Sequence, residues 1–271
     1  MTETEIEGNE RSAYFVIGPD GWIVPSAMSR GPWNPDNCHA GPPTAMLARA
    51  MEAAMVEAGI AHQLVRMTVE LPRPIPMAGF FVHANVVRSG KSVTTLTASL
   101  VDAEGLERIS AQGMALRTSE PARSFPTPSI PTPDLSEAVD GPFPIRSSRH
   151  DSVGFGRSVE TRFPPGEGPE PGPTTAWIRT VALVEGEAPS SFQRICPLAD
   201  SGNAFSRNAE MSDFTFINPD LTIVLHRSPE GEWLGSQSVS HWQPNGIGLA
   251  DALLFDHRGM VGRALQTLLV G

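Results

Sequence analysis

Apolar and polar positions in this chain follow two rhythms. Leu47, Met51, Ala54 and Met55 recur at helical spacing behind Pro42-Pro43, with Arg49, Glu52 and Glu57 on other faces and Gly59 beyond. That pattern predicts an amphipathic helix with one buried side. The period then falls to two: Thr95-Leu-Thr-Ala-Ser-Leu100 alternates hydroxyl and apolar residues, as a half-buried antiparallel strand does. Asp102-Ala-Glu-Gly105 and Asp256-His-Arg-Gly259 each place an aspartate first and a glycine last in a four-residue turn, predicting a long hairpin at the end of each half. Ser12 to Val24 reads as two short strands broken at Gly18-Pro-Asp-Gly21. Val159–Phe163 and Thr175–Val184 read as strands around a loop at 164–173, and a short helix follows that Asp200 can cap.

The pattern occurs twice. Residues 67–117 and 221–271 align at a constant offset of 154 without a gap. Eight of the 51 positions are identical: Thr68/Thr222, Leu71/Leu225, Arg73/Arg227, Ala98/Ala252, Leu100/Leu254, Asp102/Asp256, Gly105/Gly259 and Gln112/Gln266. Average composition would give about three. A duplicated unit of strands, helix and antiparallel strands is the reading. Two units, 1–118 and 151–271, are expected around a proline-rich crossover at 119–150 that carries Phe125-Pro-Thr-Pro-Ser-Ile-Pro-Thr-Pro133. A helix followed by a curved antiparallel sheet buries its apolar side only if the sheet wraps around it, so the fold class is α+β, with the two sheets continuous. A ligand channel is expected where the halves meet, long and narrow between the helix of one unit and the sheet of the other, a shape that fits an acyl chain.

Composition narrows the chemistry. The 271 residues carry 20 Lys and Arg against 30 Asp and Glu, a net charge of −10, and the single lysine is Lys91. Nonspecific nucleic-acid binding is disfavoured, because phosphate contacts need clustered cations. An anionic ligand requires a local arginine, for which Arg73, Arg88 and Arg227 are candidates beside their reading as solvated or structurally paired side chains. No apolar run reaches the roughly 20 residues of a membrane helix, and Met1 to Glu10 is acidic, so a cytoplasmic protein with no membrane partner is expected. Cys38 and Cys196 are expected as reduced core fillers.

Several stretches together resemble the double hot-dog acyl-CoA thioesterases of the thioesterase II type. In the first half these are His39-Ala-Gly-Pro-Pro43, Leu71-Pro-Arg-Pro-Ile-Pro76 and Val87-Arg-Ser-Gly-Lys91. In the second they are Leu198-Ala-Asp-Ser-Gly202, Asn218-Pro-Asp-Leu-Thr-Ile-Val-Leu-His-Arg227, Gly231-Glu-Trp-Leu234 and 262–270. The resemblance implies a double hot-dog fold and an acyl-CoA substrate, with no cofactor. It also implies a water held by a carboxylate at the start of the second helix, a hydroxyl residue and a glutamine, which match Asp200, Asn218 and Gln266. Asp200 is then the general base, Asn218 and Gln266 orient the water, and amides at a helix start polarise the thioester carbonyl. His39 and Gly41 are carried over as residues shaping the substrate loop. Asn218 departs from the usual hydroxyl, and its amide has a different reach.

Plainer roles stand beside these: Asp200 as helix cap, Asn218 before Pro219 as turn former, and Gln266 sharing a structural role with Gln112. The same architecture also allows a protein that binds acyl-CoA without turnover, or an enoyl-CoA hydratase, which needs an aspartate near a histidine. Cys38-His39 lacks a third orienting residue and adjacent side chains point apart, so no cysteine nucleophile is read there. Neither a Gly-x-Ser-x-Gly elbow nor a phosphate-binding loop occurs in the sequence, and no metal-spaced cluster does. An exposed sheet edge on each unit makes a homo-oligomer the expected assembly.

Overall fold

In a computed structural model that describes residues 13–120, 125, 126, 128, 130–145 and 153–271, the two rhythms fold into a twelve-stranded sheet and a smaller three-stranded one, with the helices packed against them. Met1 to Glu10, Ser12, Asp151 and part of the proline-rich stretch lie outside the described residues. The first half runs β1 (Ala13–Ile17), β2 (Ile23–Pro25), α1 (Gly41–Glu57), β3 (His62–Glu70), β4 (Phe81–Ser89), β5 (Val93–Val101) and β6 (Glu107–Arg117). Then come β7 (Val139–Gly141), α2 (Phe155–Ser158), β8 (Glu160–Phe163), β9 (Thr174–Arg179), β10 (Ala182–Val184), α3 (Ser191–Asp200) and α4 (Gly202–Phe205). The chain ends in β11 (Phe216–Ile217), β12 (Asp220–Leu225), β13 (Leu234–Trp242), β14 (Ile247–Asp256) and β15 (Gly259–Val270).

The main sheet has twelve strands in the order β4-β5-β6-β3-β12-β15-β14-β13-β9-β8-β7, with β11 on β15. Its first eight read outward from the centre as β3-β6-β5-β4 on one side and β12-β15-β14-β13 on the other, which is the double hot-dog built from the repeat. At the seam Thr68 pairs with its own repeat partner Thr222, and their hydroxyls lie 3.2 Å apart, so the pseudo-twofold axis passes between them. Two differences from the sequence expectation bind the halves further. Thr175–Val184 is two strands, and β10 leaves the main sheet to pair in parallel with β1. Within the proline-rich stretch, β7 pairs with β8 and extends the second half of the sheet.

α1 begins where two prolines sit at its first turn and ends in a Schellman cap. There Gly59 adopts φ +67°, its N–H donates to Val56 O, and the Ile60 N–H donates to Met55 O. Amphipathicity holds only for the later turns; residues 41–48 are buried all round, with Met46, Leu47 and Met51 at most 1% exposed. The reason is α3, which packs antiparallel beside α1: Pro197 lies against Gly41 at the start of α1, and Ser190 bonds Glu52 toward its end. A Cβ on Gly41 would stand 2.8 Å from the Pro197 Cα, so glycine permits this close crossing.

The repeat also breaks in an informative way. In the first hairpin Asp102 N donates to Leu106 O across three loop residues, whereas in the second Asp256 pairs with Gly259 across two. The last strand is therefore displaced by one residue relative to the ungapped alignment: Thr68 faces Gln112, but Thr222 faces Leu265. One residue of slip exchanges the two faces of a strand. Gln112 points outward and exposed, while Gln266 points inward at 1% exposure. The position in β6 that corresponds to Gln266 is Gly113, where a Cβ would sit 2.5 Å from Met51 Sδ of α1.

Candidate functional site

Asp200 is the last residue of α3, and the cap of that helix is Ser190, whose hydroxyl accepts from Gln193 N. This corrects the expectation of Asp200 as cap at the helix start. α3 carries Pro197 and breaks at Ser201 before α4 resumes, so Asp200 stands at a bend, its side chain 3% exposed. Gln266 holds that bend from below: its Nε2 donates to Asp200 O (3.0 Å) and its Oε1 accepts from Asn203 N (3.0 Å). Both polar atoms of Gln266 thus bind main chain on either side of the bend, where the sequence expectation had them orient the water.

The carboxylate itself is held from two sides. Asn218 Nδ2 donates to Asp200 Oδ1 (2.9 Å) and to Asp220 O (3.3 Å), and Asn218 Oδ1 accepts from Asn203 Nδ2 (3.3 Å). His39 Nδ1 lies 3.1 Å from Asp200 Oδ2 and 3.2 Å from Gly41 N, so a proton on Nδ1 is donated to the carboxylate and its absence leaves an acceptor for the amide. The ring is fixed by stacking on Phe155 (centroids 3.9 Å apart, 20°), and its main-chain N–H donates to Ser29 O. The loop that carries His39 is closed by Arg30, whose guanidinium donates to Pro35 O and Val153 O.

These residues open on a cleft of about 430 Å³ between the halves. Its mouth is formed by Trp33, Pro72, Arg73, Pro74, Ile217 and Leu269, and its inner side by His39, Asp200, Asn203 and Asn218 with Phe143 and Phe155. No residue of α1 lines it; its wall carries Asp200, Asn203 and Ala204 of α3 and α4 together with Leu71 to Ile75 of the first half. Of the three candidate arginines only Arg73 reaches the cleft, exposed and donating to Glu107 O. Arg88 is on the edge strand β4, and Arg227 is spent on Asp256 (2.6 Å twice) and on Gly259 O and Met260 O. Their reading as solvated or paired side chains is the one that describes these two.

The expected helix-start amides are also scarce. Pro42 and Pro43 have no N–H, Gly41 N faces His39, and Asn203 N is taken by Gln266. Asn203 Nδ2, which keeps a second N–H, is a donor on the inner wall. Cys38 also lines the cleft, but burial pushes its thiol up to about 12 against the opposing pull of Arg30, so it is no thiolate. Among the described residues no group of His, Cys, Asp or Glu is placed to hold a metal ion, and no helix is long and apolar enough to cross a membrane. Sequence reasoning missed the His39–Asp200 contact, which spans 161 positions. It also missed Asn203, which the break between α3 and α4 brings against Asn218 and which no local sequence rule marks.

Models of the acyl-CoA thioesterase N-terminal domain and of the acyl-CoA thioesterase C-terminal domain match residues 29–118 and 131–270. The fold is similar to that of a candidate thioesterase from Novosphingobium aromaticivorans (17% identity, 94% of this chain and 98% of that one, TM-score 0.71). It is also similar to a hot-dog protein of unknown function from Alicyclobacillus acidocaldarius (14%, 94% and 96%, 0.66) and to the acyl-CoA thioesterase II TesB2 from Mycobacterium marinum (15%, 85% and 90%, 0.59). No curated protein matches the chain.

Proposed function

The chain belongs to the acyl-CoA thioesterase family, and from that premise we propose that it hydrolyses acyl-CoA thioesters with a water activated by Asp200. The observation that carries the proposal is the convergence of three distant segments: Asp200, clamped from below by Gln266, is oriented by Asn218 at the wall of a largely apolar cleft. Both carboxylate oxygens are held yet each keeps a lone pair, the arrangement a general base needs. The water oxygen bonds to the thioester carbonyl carbon while its proton passes to Asp200. Collapse of the tetrahedral intermediate breaks the C–S bond, and that proton leaves on the thiol sulfur. Asn203 Nδ2 supplies a hydrogen bond to the developing oxyanion, and Arg73 at the mouth faces the charged part of CoA. In this scheme Asn218 does for the carboxylate what a hydroxyl would do for the water, so its departure from the family pattern is compatible with turnover.

The contact between His39 and Asp200 favours a second reading. An enoyl-CoA hydratase needs an acid and a base across a double bond, and the histidine absent from the second helix comes instead from the loop before α1. One experiment separates the readings: free thiol and enoyl absorbance are followed in parallel with saturated and 2-enoyl-CoA substrates. Thiol release from both classes is expected. Loss of enoyl absorbance without thiol would replace the hydrolase by the hydratase, and acyl-CoA binding with neither signal would leave a binding protein.

A further inference from the structure

Depth is the property of this cleft that bears on which acyl group enters. Beside Asp200 the wall is made by Cys38, Ile75, Phe143, Ile145, Phe155 and Ala204, none more than 9% exposed. Behind it lies a second aromatic layer: Phe143 meets Phe155 edge-on at 5.6 Å and Phe205 at 5.2 Å, and Phe205 meets Phe163 at 6.4 Å. Phe155 is itself held by stacking on His39 (3.9 Å, 20°) and on Tyr14 (5.9 Å, 27°). The interior along α1 is packed with the buried side chains of Met46, Leu47 and Met51.

We propose that the site takes compact, short-chain acyl groups rather than long fatty acyl chains. The inference rests on the hydrolase reading above and names its substrate class. A methylene gains from burial only while there is room for it. Once the acyl group reaches the Phe143–Phe155 wall, each further methylene must displace a close-packed aromatic or stay in water, and neither lowers the barrier. Phe143 is the specificity-determining residue, since it joins the cleft wall to the Phe205 layer.

The test is kcat/KM for thiol release by the wild-type protein over acetyl-, butyryl-, hexanoyl-, lauroyl- and palmitoyl-CoA, the last below its micelle concentration. A maximum among the first three is expected, with palmitoyl-CoA at least about 10-fold lower. Release that rises through palmitoyl-CoA, and still depends on Asp200, would overturn the proposal and leave the hydrolase reading intact. Release from none of the five would remove the hydrolase reading, and this inference with it. Phe143→Ala, or Phe143→Leu if the smaller side chain does not fold, is expected to move the maximum to longer chains; a folded variant with an unmoved maximum would contradict the role given to Phe143.

Discussion

Asn218 and Gln266 touch Asp200 at different atoms, and that difference separates their expected effects. Asn218→Ala removes the donor to the carboxylate and leaves the bend intact, so kcat should fall by roughly 10- to 100-fold with little change in melting temperature. Asn218→Thr restores a hydroxyl and should stay within about tenfold of wild type. Gln266→Ala leaves the Asp200 carbonyl and the Asn203 N–H buried and unpaired, each costing about 1–3 kcal/mol. Denaturant unfolding should therefore show a loss of stability for Gln266→Ala that Asn218→Ala does not share, together with a drop in thiol release. Equal stability of the two variants would sink the distinction. At this scale the grouping was legible in the residues, because Asp200, Asn218 and Gln266 do come together. Their division of labour was not, since it depends on which atom each side chain reaches and on His39 arriving from 161 positions away.

Between elements, the α1–α3 contact partly buries Glu52, a carboxyl that the chemistry does not use. Burial raises the Glu52 carboxyl above its ordinary range, although Gln193 Nε2 (2.6 Å) and Ser190 Oγ (2.8 Å) donate to it and pull the other way. An acid whose folded value is raised binds more protons folded than unfolded, so stability is reduced above that folded value and recovered as pH falls toward the ordinary carboxylate range. Glu52→Gln should raise the melting temperature at neutral pH and flatten the gain seen in wild type between neutral pH and about pH 5. A lower melting temperature for the variant at neutral pH would show that the two hydrogen bonds outweigh the buried charge. Elements themselves were legible where local rules act alone: Pro42-Pro43 and Gly59 bracket α1, and the alternation at Thr95–Leu100 sits inside β5. The reading failed where packing decides, as in the all-round burial of residues 41–48 and the single-residue slip that gives Gln112 and Gln266 opposite faces. An ungapped alignment cannot show that slip, because both hairpins keep the aspartate and the glycine and differ only in whether the glycine belongs to the loop.

Across the whole molecule the repeat explains the architecture and the departures from it explain the site. Thr68 and Thr222 meet at the axis, so the duplicated unit is the first half of the sheet set against the second. Only the second copy carries the carboxylate, the bend and an inward glutamine; its counterpart holds Gly113 under Met51 and serves packing. The site is completed across the seam, since His39 and Arg73 come from the first half and Asp200, Asn203 and Asn218 from the second. Because β1 also pairs with β10, and β3 with β12, neither half closes its core alone. Calorimetry should accordingly show one unfolding transition for the full chain, with van't Hoff and calorimetric enthalpies in agreement. Two resolved transitions would mean that the units on either side of the proline-rich stretch behave as separate domains.

The measurement closest to the central claim is free thiol released from butyryl-CoA by wild-type protein and by Asp200→Asn, with the melting temperature of each as control. The isosteric amide keeps the shape of the bend and removes the base, so thiol release should fall by roughly 100-fold or more while the fold persists. Release at the wild-type rate from a folded Asp200→Asn variant would show that the water is activated elsewhere.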